Sequence, residues 1–579
     1  MTGACYAVVL VVTWIAVGVS SNAFDHIYKA GDTVPLYASK VYPFGNPSET
    51  YRYYSLPFCS PVSMRDESEA SVQGIKGDRL VHSPYNLQFL VDKDSEVLCQ
   101  KKLSTKEVAD FRSAVSRDYL FQMHYDDLPI WGFLGRIEKN GSVDPRQYKY
   151  CLNKHLHFKV FYNKNRIINI QATTDPYDCV ELTDDKDVLV DFLYTVKWNE
   201  TDIAFEKRME MYARSYLEIL SVIASCVTVL LLTGFLVTIL LQALKNDLVK
   251  YAHDEETADD KEEAGWKFIH GDVFRFPKNK SLLAAALGSG TQLVVLATLI
   301  LLLALVGAFY NGESPFTTLG IIYTATSFIA GYTTASFYSQ LEGTYWVSNL
   351  LLTGFIFSGP MFLIFSFLNA VAIAYKETAV IPVDTTIASP LLVFTASPLL
   401  VLGWIAGKYS MADFEAPCPT SKYPRKIQPL PWYRWTLPQM AVAGFLPFCA
   451  SYGELYYIFS GVWGHKLYTN YSILFVVFII VLIVTAFTTM ALIYFQLAAE
   501  DHDWWWRSFL YGGSSGLYIY GYCLYYYYAH SGMSGFMQTS FFFGYMAFVS
   551  YAIFVMLGAV GFYAALFFVR RIYGSIKND

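Results

Sequence analysis

Charge is scarce in this chain. Asp, Glu, Lys and Arg make up 16 % of its 579 residues, against about a quarter in ordinary globular proteins. The net charge of −6 comes without any basic block, which excludes the usual electrostatic footprint of a nucleic-acid binder. His-Glu-x-x-His, Gly-x-Ser-x-Gly and paired intramembrane aspartates are missing as well. No catalytic constellation is left, and the chain does not read as an enzyme. Gly288-x-Gly290 lacks a phosphate-loop context, so nucleotide binding is discounted. His155 and His157 alternate on a strand-like stretch without carboxylate neighbours in sequence. No metal or cofactor is therefore expected.

What the chain has instead is apolar length. Hydrophobic residues make up 54 %. From Ser281 to Arg570 the chain is a nearly unbroken series of eight apolar spans, and a ninth stands alone at Leu217–Leu244. Each reaches the roughly 20 residues that a bilayer requires, and in lipid such a span must be a helix that satisfies its own backbone. The expected fold is an α-helical polytopic membrane protein of nine transmembrane helices behind a β-rich lumenal domain, read as a β-sandwich. The spans begin near Leu217, Ser281, Pro315, Trp346, Ile387, Pro438, Asn470, Trp504 and Met537.

Six segments follow in order. Residues 1–21 read as a signal peptide, with Tyr6–Val19 as its apolar core and Val19-Ser20-Ser21 as its cleavage region. The basic n-region is missing, and an uncleaved signal anchor is the alternative. Residues 22–216 form the lumenal domain, 217–244 the first helix, 245–280 a cytosolic loop, 281–570 the eight-helix region and 571–579 a cytosolic tail. In the lumenal domain, Leu156–Tyr162 and Val188–Val196 alternate as half-buried strands do, while Ser104–Tyr119 has helical spacing. Asn140 and Asn199 stand in glycosylation sequons.

Cys5 would leave with the signal, and Cys59, Cys99, Cys151 and Cys179 would enter the oxidising lumen, where two disulfides are favoured. Three pairings are open. We adopt Cys59–Cys99 with Cys151–Cys179, against four free buried thiols. Cys226, Cys449 and Cys523 fall inside spans, and Cys418 in a loop assigned to the reducing cytosol.

Charge bias agrees with this topology. The segments assigned to the cytosol carry 16 Lys and Arg, from Lys245 to Lys577, whereas the lumenal links between spans carry only Lys376 and Lys466. In the first cytosolic loop the acidic tract Asp254–Glu263 reads as a solvated linker. Trp266–Pro277 (WKFIHGDVFRFP) interleaves aromatic and charged residues and reads as an ordered segment at the membrane surface.

These residues together form a pattern. Asn46–Cys59 (NPSETYRYYSLPFC), Asp126–Gly132 (DDLPIWG), Gly265–Arg275 (GWKFIHGDVFR), Gly444–Phe459 (GFLPFCASYGELYYIF) and Ala499–Phe509 (AEDHDWWWRSF) resemble the transmembrane 9 superfamily, or nonaspanins, as do Gly288–Gln292 (GSGTQ) and Gln538–Met546 (QTSFFFGYM). His502-Asp503 departs from the tyrosine and basic residue expected there. The resemblance implies a Golgi or endosomal membrane protein that helps sort other membrane proteins or deliver them to the cell surface, including clients with glycine-rich transmembrane helices. It also implies links to adhesion and phagocytosis. The terminal Lys577-Asn578-Asp579 matches the lysine-x-acidic tail associated with Golgi retention and the COPI coat. One ammonium and the terminal carboxylates would present opposed charges to a coat subunit, as a receptor-read address rather than an anchor.

Within the spans, Glu454 is the sharpest residue, because a carboxylate in lipid must face a polar interior or be protonated. It reads as a handle for client helices or a step in a proton path, against a structural hydrogen bond. Tyr518 and Tyr522 share one face of a tyrosine-crowded span, and Gln292 adds an amide to a small-residue surface. The two tyrosines are read as lining or as plain packing, and Gln292 as packing within the bundle. Pro360, Pro390, Pro398 and Pro447 interrupt spans, as in transporters or as simple kinks. Two further classes stand beside sorting: a transporter or channel using Glu454, and a lumenal adhesion or ligand receptor.

Overall fold

The computed structural model describes residues 26–44, 51–60, 81–126, 128–138, 148–175, 178–205, 208, 216–256, 265–306, 315–375, 383–410, 416–423, 425–427, 431–462, 471–530 and 536–574. The signal segment with Cys5, the Asn140 sequon, residues 257–263 of the acidic tract, and Lys577 and Asp579 lie outside them.

The N-terminal region is rich in strands. These are β1 (Thr33–Val34), β2 (Leu36–Pro43), β3 (Tyr51–Arg52), β4 (Val81–His82), β5 (Leu87–Gln88), β6 (Lys93–Leu103) and β7 (Tyr119–Tyr125). After them come β8 (Leu128–Phe133), β9 (Gly135–Glu138), β10 (Lys149–Asn153), β11 (His155–Asn163), β12 (Arg166–Thr174), β13 (Cys179–Glu181) and β14 (Val188–Glu200). One sheet runs β12-β11-β14-β6, and a second runs β3-β2-β7-β8 with β4 on β2. Residues from both build a single core, among them Phe158, Val160, Phe192 and Val196 from the first and Leu36, Val41, Phe121 and Ile130 from the second. Two smaller sheets, β1-β5 and β13-β10-β9, complete the region. Most pairs are antiparallel, but β11 and β14 pair in parallel, His155 facing Leu193. That pairing cannot be read from alternation, which looks the same in either direction.

One helix, α1 (Thr105–Ser116), covers this core. Ser104 caps it, with its backbone N–H donating to Glu107 at 2.9 Å. Val108, Phe111, Ala114 and Val115 are spaced to bury one face.

From Tyr216 onward the described chain is helical. The elements are α2 (Tyr216–Glu256), α3 (Lys280–Leu305), α4 (Pro315–Gln340), α5 (Trp346–Tyr375), α6 (Val383–Tyr409), α7 (Thr436–Val462), α8 (Tyr471–Ala498), α9 (Trp504–His530) and α10 (Phe536–Tyr573). Their starts fall close to the expected ones, and the largest offset is Val383 against Ile387. Among the described residues, five stretches are long and apolar enough to cross a membrane: Val227–Asp247, Lys280–Leu305, Trp346–Val371, Tyr471–Ala498 and Thr539–Tyr573. These belong to α2, α3, α5, α8 and α10. Pro360 lies inside α5 and Pro447 inside α7, and both helices continue through them, as α6 does through Pro390 and Pro398. Near Pro447 the Ser451 hydroxyl donates to the Pro447 and Phe448 carbonyls at 3.3 and 3.0 Å.

Small residues set the closest helix approaches. A Cβ at Gly403 of α6 would collide with the Phe328 backbone of α4, and one at Gly290 of α3 with the Val555 carbonyl of α10. Small residues let backbones approach this closely where packing, not water, drives association. Gly234 of α2, by contrast, has open space where a Cβ would go. Gly403→Leu is expected to destabilise the detergent-solubilised protein by about 1–3 kcal/mol through overpacking, read as a lowered unfolding temperature. Gly234→Leu should leave that temperature unchanged within error.

Candidate functional site

Two polar constructions stand out in the helical region, a latch at one end and a tyrosine face within the helices. The latch grows from the segment that interleaves aromatic and charged residues. Its apolar members Trp266, Ile269, Val273 and Phe274 are buried and join the main helical core. The segment is ordered, as expected, but it does not merely rest on a surface: the helix ends enclose it. The Tyr573 hydroxyl at the end of α10 donates to the Trp266 carbonyl at 2.7 Å. Trp504 at the start of α9 donates through Nε1 to the Val273 carbonyl at 2.9 Å, and Trp506 to that of Lys278 at 2.9 Å. The Gly265 N–H donates to Glu500 at 3.1 Å.

Asp272 holds the latch to the link between α6 and α7. Its Oδ1 accepts from Ser421 Oγ at 2.7 Å and from Arg275 at 2.9 Å, and its Oδ2 accepts from the Arg425 N–H at 3.2 Å. The Arg425 guanidinium lies 3.1 Å from the centre of the Phe268 ring and donates to the Phe268 carbonyl. Burial pushes the Asp272 carboxyl up, but the Ser421, Arg275 and Arg425 donors outweigh it and hold it below the usual range. Nearby, Arg507 pairs with the buried Asp501 at 2.6 Å, and His502 is itself buried. The unusual His502-Asp503 dipeptide therefore sits in a structured corner.

The candidates of the helical region separate into two places. Tyr518 and Tyr522 of α9 meet α7. Tyr518 stacks on Phe448 at 5.6 Å and donates to the Ala441 carbonyl at 2.7 Å. Tyr522 packs edge-on against Tyr452 at 5.5 Å and against Phe459. Glu454 of α7 is 2 % exposed. The next residue, Leu455, packs with Tyr522 and Tyr526, whereas Ala450, one turn earlier, packs with Val477 and Ile480 of α8. The Tyr522 hydroxyl is buried with no hydrogen-bond partner among the described residues. Beside it Tyr452 and Tyr525 are 47 % and 53 % exposed. Gln292 lies elsewhere and donates to the Tyr323 carbonyl of α4 at 3.2 Å, so it is not part of this face.

The cysteines correct one pairing. Cys59 and Cys99 form a disulfide with a Cα–Cα distance of 6.2 Å. Cys151 and Cys179 do not bond, although they are close. The register puts Cys151 opposite Glu181 and Cys179 opposite Asn153, so the two are diagonal neighbours on β10 and β13. Their sulfurs and a Glu138 oxygen lie within 4.8 Å of one another. Arg136 donates to Glu138 at 2.7 Å and to the Cys179 sulfur at 3.6 Å, so a guanidinium already occupies the cluster. Burial and the Cys179 neighbour push the Cys151 thiol up to about 12. The histidines also differ from expectation, because the fold gives His155 a carboxylate, Asp178 at 3.5 Å, and a hydrogen bond to Thr195. Asn199 is exposed near the end of β14.

Long apolar helices behind a strand-rich N-terminal region define a multi-pass membrane protein. The chain belongs to the transmembrane 9 superfamily: the family model for Endomembrane protein 70 matches residues 50–536. It is 63 % identical over 571 residues to transmembrane 9 superfamily member 4 of Arabidopsis thaliana, covering 97 % of this chain and 96 % of that one. It is 64 % identical to member 3 of the same plant over the same coverage. It is 42 % identical over 576 residues to member 1 of Bos taurus, covering 95 % and 94 %. No solved structure matches.

Asp272→Ala removes the acceptor shared by Ser421, Arg275 and the Arg425 N–H, although Ser421 keeps the Tyr423 carbonyl and Arg275 the Ser421 carbonyl, and is expected to cost about 1–3 kcal/mol. Limited proteolysis of the detergent-solubilised protein between residues 265 and 280 should read this as faster cleavage. Because the folded carboxyl lies below its ordinary value of 3.8, its stabilisation is present above that value and fades as pH falls through the depressed one. Latch protection should therefore hold from pH 7 to pH 5 and weaken only below about pH 4.

Proposed function

We propose that this protein sorts other membrane proteins in Golgi and endosomal membranes by reading polar or glycine-rich client helices, and that it is not an enzyme. The observation that carries the reading is the α7–α9 face. The Tyr522 hydroxyl of α9, without a hydrogen-bond partner among the described residues, lies behind two half-exposed tyrosines, with Glu454 buried on the facing helix α7. In hydrocarbon such a surface is costly until another helix supplies donors and acceptors. A client helix with weak hydrophobicity gains by packing there.

In this reading all nine long helices cross the bilayer. Those outside the five most apolar, α4, α6, α7 and α9, have 26 or 27 residues, enough to span at 1.5 Å per residue. The latch is held by the start of α9, the end of α10 and the links on either side, α6–α7 and α8–α9, and on the strong Lys and Arg bias this reading assigns that end to the cytosol. The strand-rich region then lies in the lumen as a sandwich-like domain that screens client ectodomains, with Asn140 and Asn199 as its glycan sites. Lys577 and Asp579 would couple the loaded protein to the COPI coat.

The test is deletion of the protein followed by quantification of the surface membrane proteome, with re-expression of Tyr522→Phe and Glu454→Gln. Selective loss of proteins whose transmembrane helices are rich in glycine or polar residues, restored by the wild type and not by Glu454→Gln, is the expected result. A uniform or absent loss would sink the sorting mechanism.

A further inference from the structure

The start of α5 carries a groove that neither the latch nor the tyrosine face uses. Its volume is about 930 Å³, within the range of roughly 300–1,000 Å³ typical of small-ligand sites. Leu351, Leu352 and Phe355 are among its apolar lining residues, and Thr344 and Ser348 bring two hydroxyls. Leu351 and Phe355 are 67 % and 66 % exposed, so the floor opens sideways into the membrane.

Two ammonium groups lie near the groove, although neither is among its lining residues. The Trp346 ring of the groove lies 5.3 Å from the Trp404 ring of α6, and the Lys408 ammonium lies 5.7 Å from the centre of that second ring. On the other side, Lys280 donates to the Leu341 and Glu342 carbonyls at 2.8 and 2.9 Å, in the link just before Thr344. Glu342 is the single acidic residue of the link 341–345. Positive charge therefore exceeds negative where the apolar floor meets water.

An apolar trough with two hydroxyls in its lining and a cation beyond its Trp346 edge matches a phospholipid, with hydrocarbon along the apolar residues and phosphate toward the cation. A client helix fits less well. Residues 344–355 cover about three turns, roughly 18 Å at 1.5 Å per residue, well short of a span. An apolar helix also offers nothing to pair with Lys408.

We propose that this groove holds one anionic phospholipid, its phosphate at Lys408 and its acyl chain over Leu351 and Phe355. The choice of an anionic headgroup rests on the cytosolic orientation argued above, because that leaflet carries the anionic lipids.

Native mass spectrometry of the full chain, purified in mild detergent and supplied with phosphatidylserine or phosphatidylcholine, tests this. The expected result is a one-to-one phosphatidylserine adduct, favoured severalfold over phosphatidylcholine. Lys408→Gln should weaken it about fivefold, the effect of one basic residue at an anionic surface. Lys422→Gln, in the link that follows α6, should leave the adduct unchanged. Leu351→Trp, which fills the trough, should remove it while unfolding temperature is retained. Equal adducts of the two lipids, or an adduct indifferent to Lys408→Gln, would overturn the proposal. So would the displacement by Leu351→Trp of a copurified polypeptide instead of a lipid. Failure of the sorting experiment leaves the adduct unchanged, so the two readings fall separately.

Discussion

A polar atom in hydrocarbon must find its partner inside the protein, and that demand organises the helical region. Threonine and serine hydroxyls meet it locally by turning back to the preceding turn, as Thr291 does to the Leu287 carbonyl and Thr488 to that of Val484. Where a side chain reaches further, it fixes one helix against another. Asn349 of α5 donates to Ser281 of α3, Ser327 of α4 to the Ala396 carbonyl of α6, and Tyr551 of α10 to the Ile356 carbonyl of α5. Each such bond substitutes for water that the bilayer does not supply. The helices with more serine, threonine, glycine and tyrosine are therefore the ones most in need of neighbours, and glycines such as Gly403 and Gly290 bring the backbones near enough to provide them.

Helix positions were legible in the sequence because apolar length is a local property. The starts of α3, α4, α5 and α9 need no knowledge of what lies beside them. Strand positions were legible for the same reason in β11 and β14, and the capped start of α1 is marked by Ser104 and Glu107. Partners were not legible. Ser421 stands 149 residues from Asp272, and nothing in either segment names the other. The aromatic and charged spacing of Trp266–Pro277 did announce an ordered segment, but not the tryptophans of α9 that close over it.

The cysteines and the tyrosine face illustrate the same limit. Counting four cysteines in the strand-rich region suggests two bridges, but whether Cys151 meets Cys179 as a bond or as a diagonal neighbour depends on strand register, and register is a tertiary outcome. Helical spacing put Tyr518 and Tyr522 on one side of α9. It could not show that Gln292 lies in another interface, or that Glu454 sits between the surfaces facing α8 and α9. Composition identified the polar groups of the membrane region, and packing decided which of them act together.

The latch also imposes an order on biosynthesis. The Trp266 carbonyl receives its bond from Tyr573, 307 residues later in the chain. At about 5–20 residues per second, ribosomal elongation leaves that carbonyl waiting for roughly 15–60 s. Through that interval Trp266 and Phe274 lack the Tyr573 ring that packs on both. Closure of this end therefore coincides with completion of the last helix, and a chain that stops early or inserts α10 wrongly displays an aromatic flag to the machinery that inspects nascent membrane proteins.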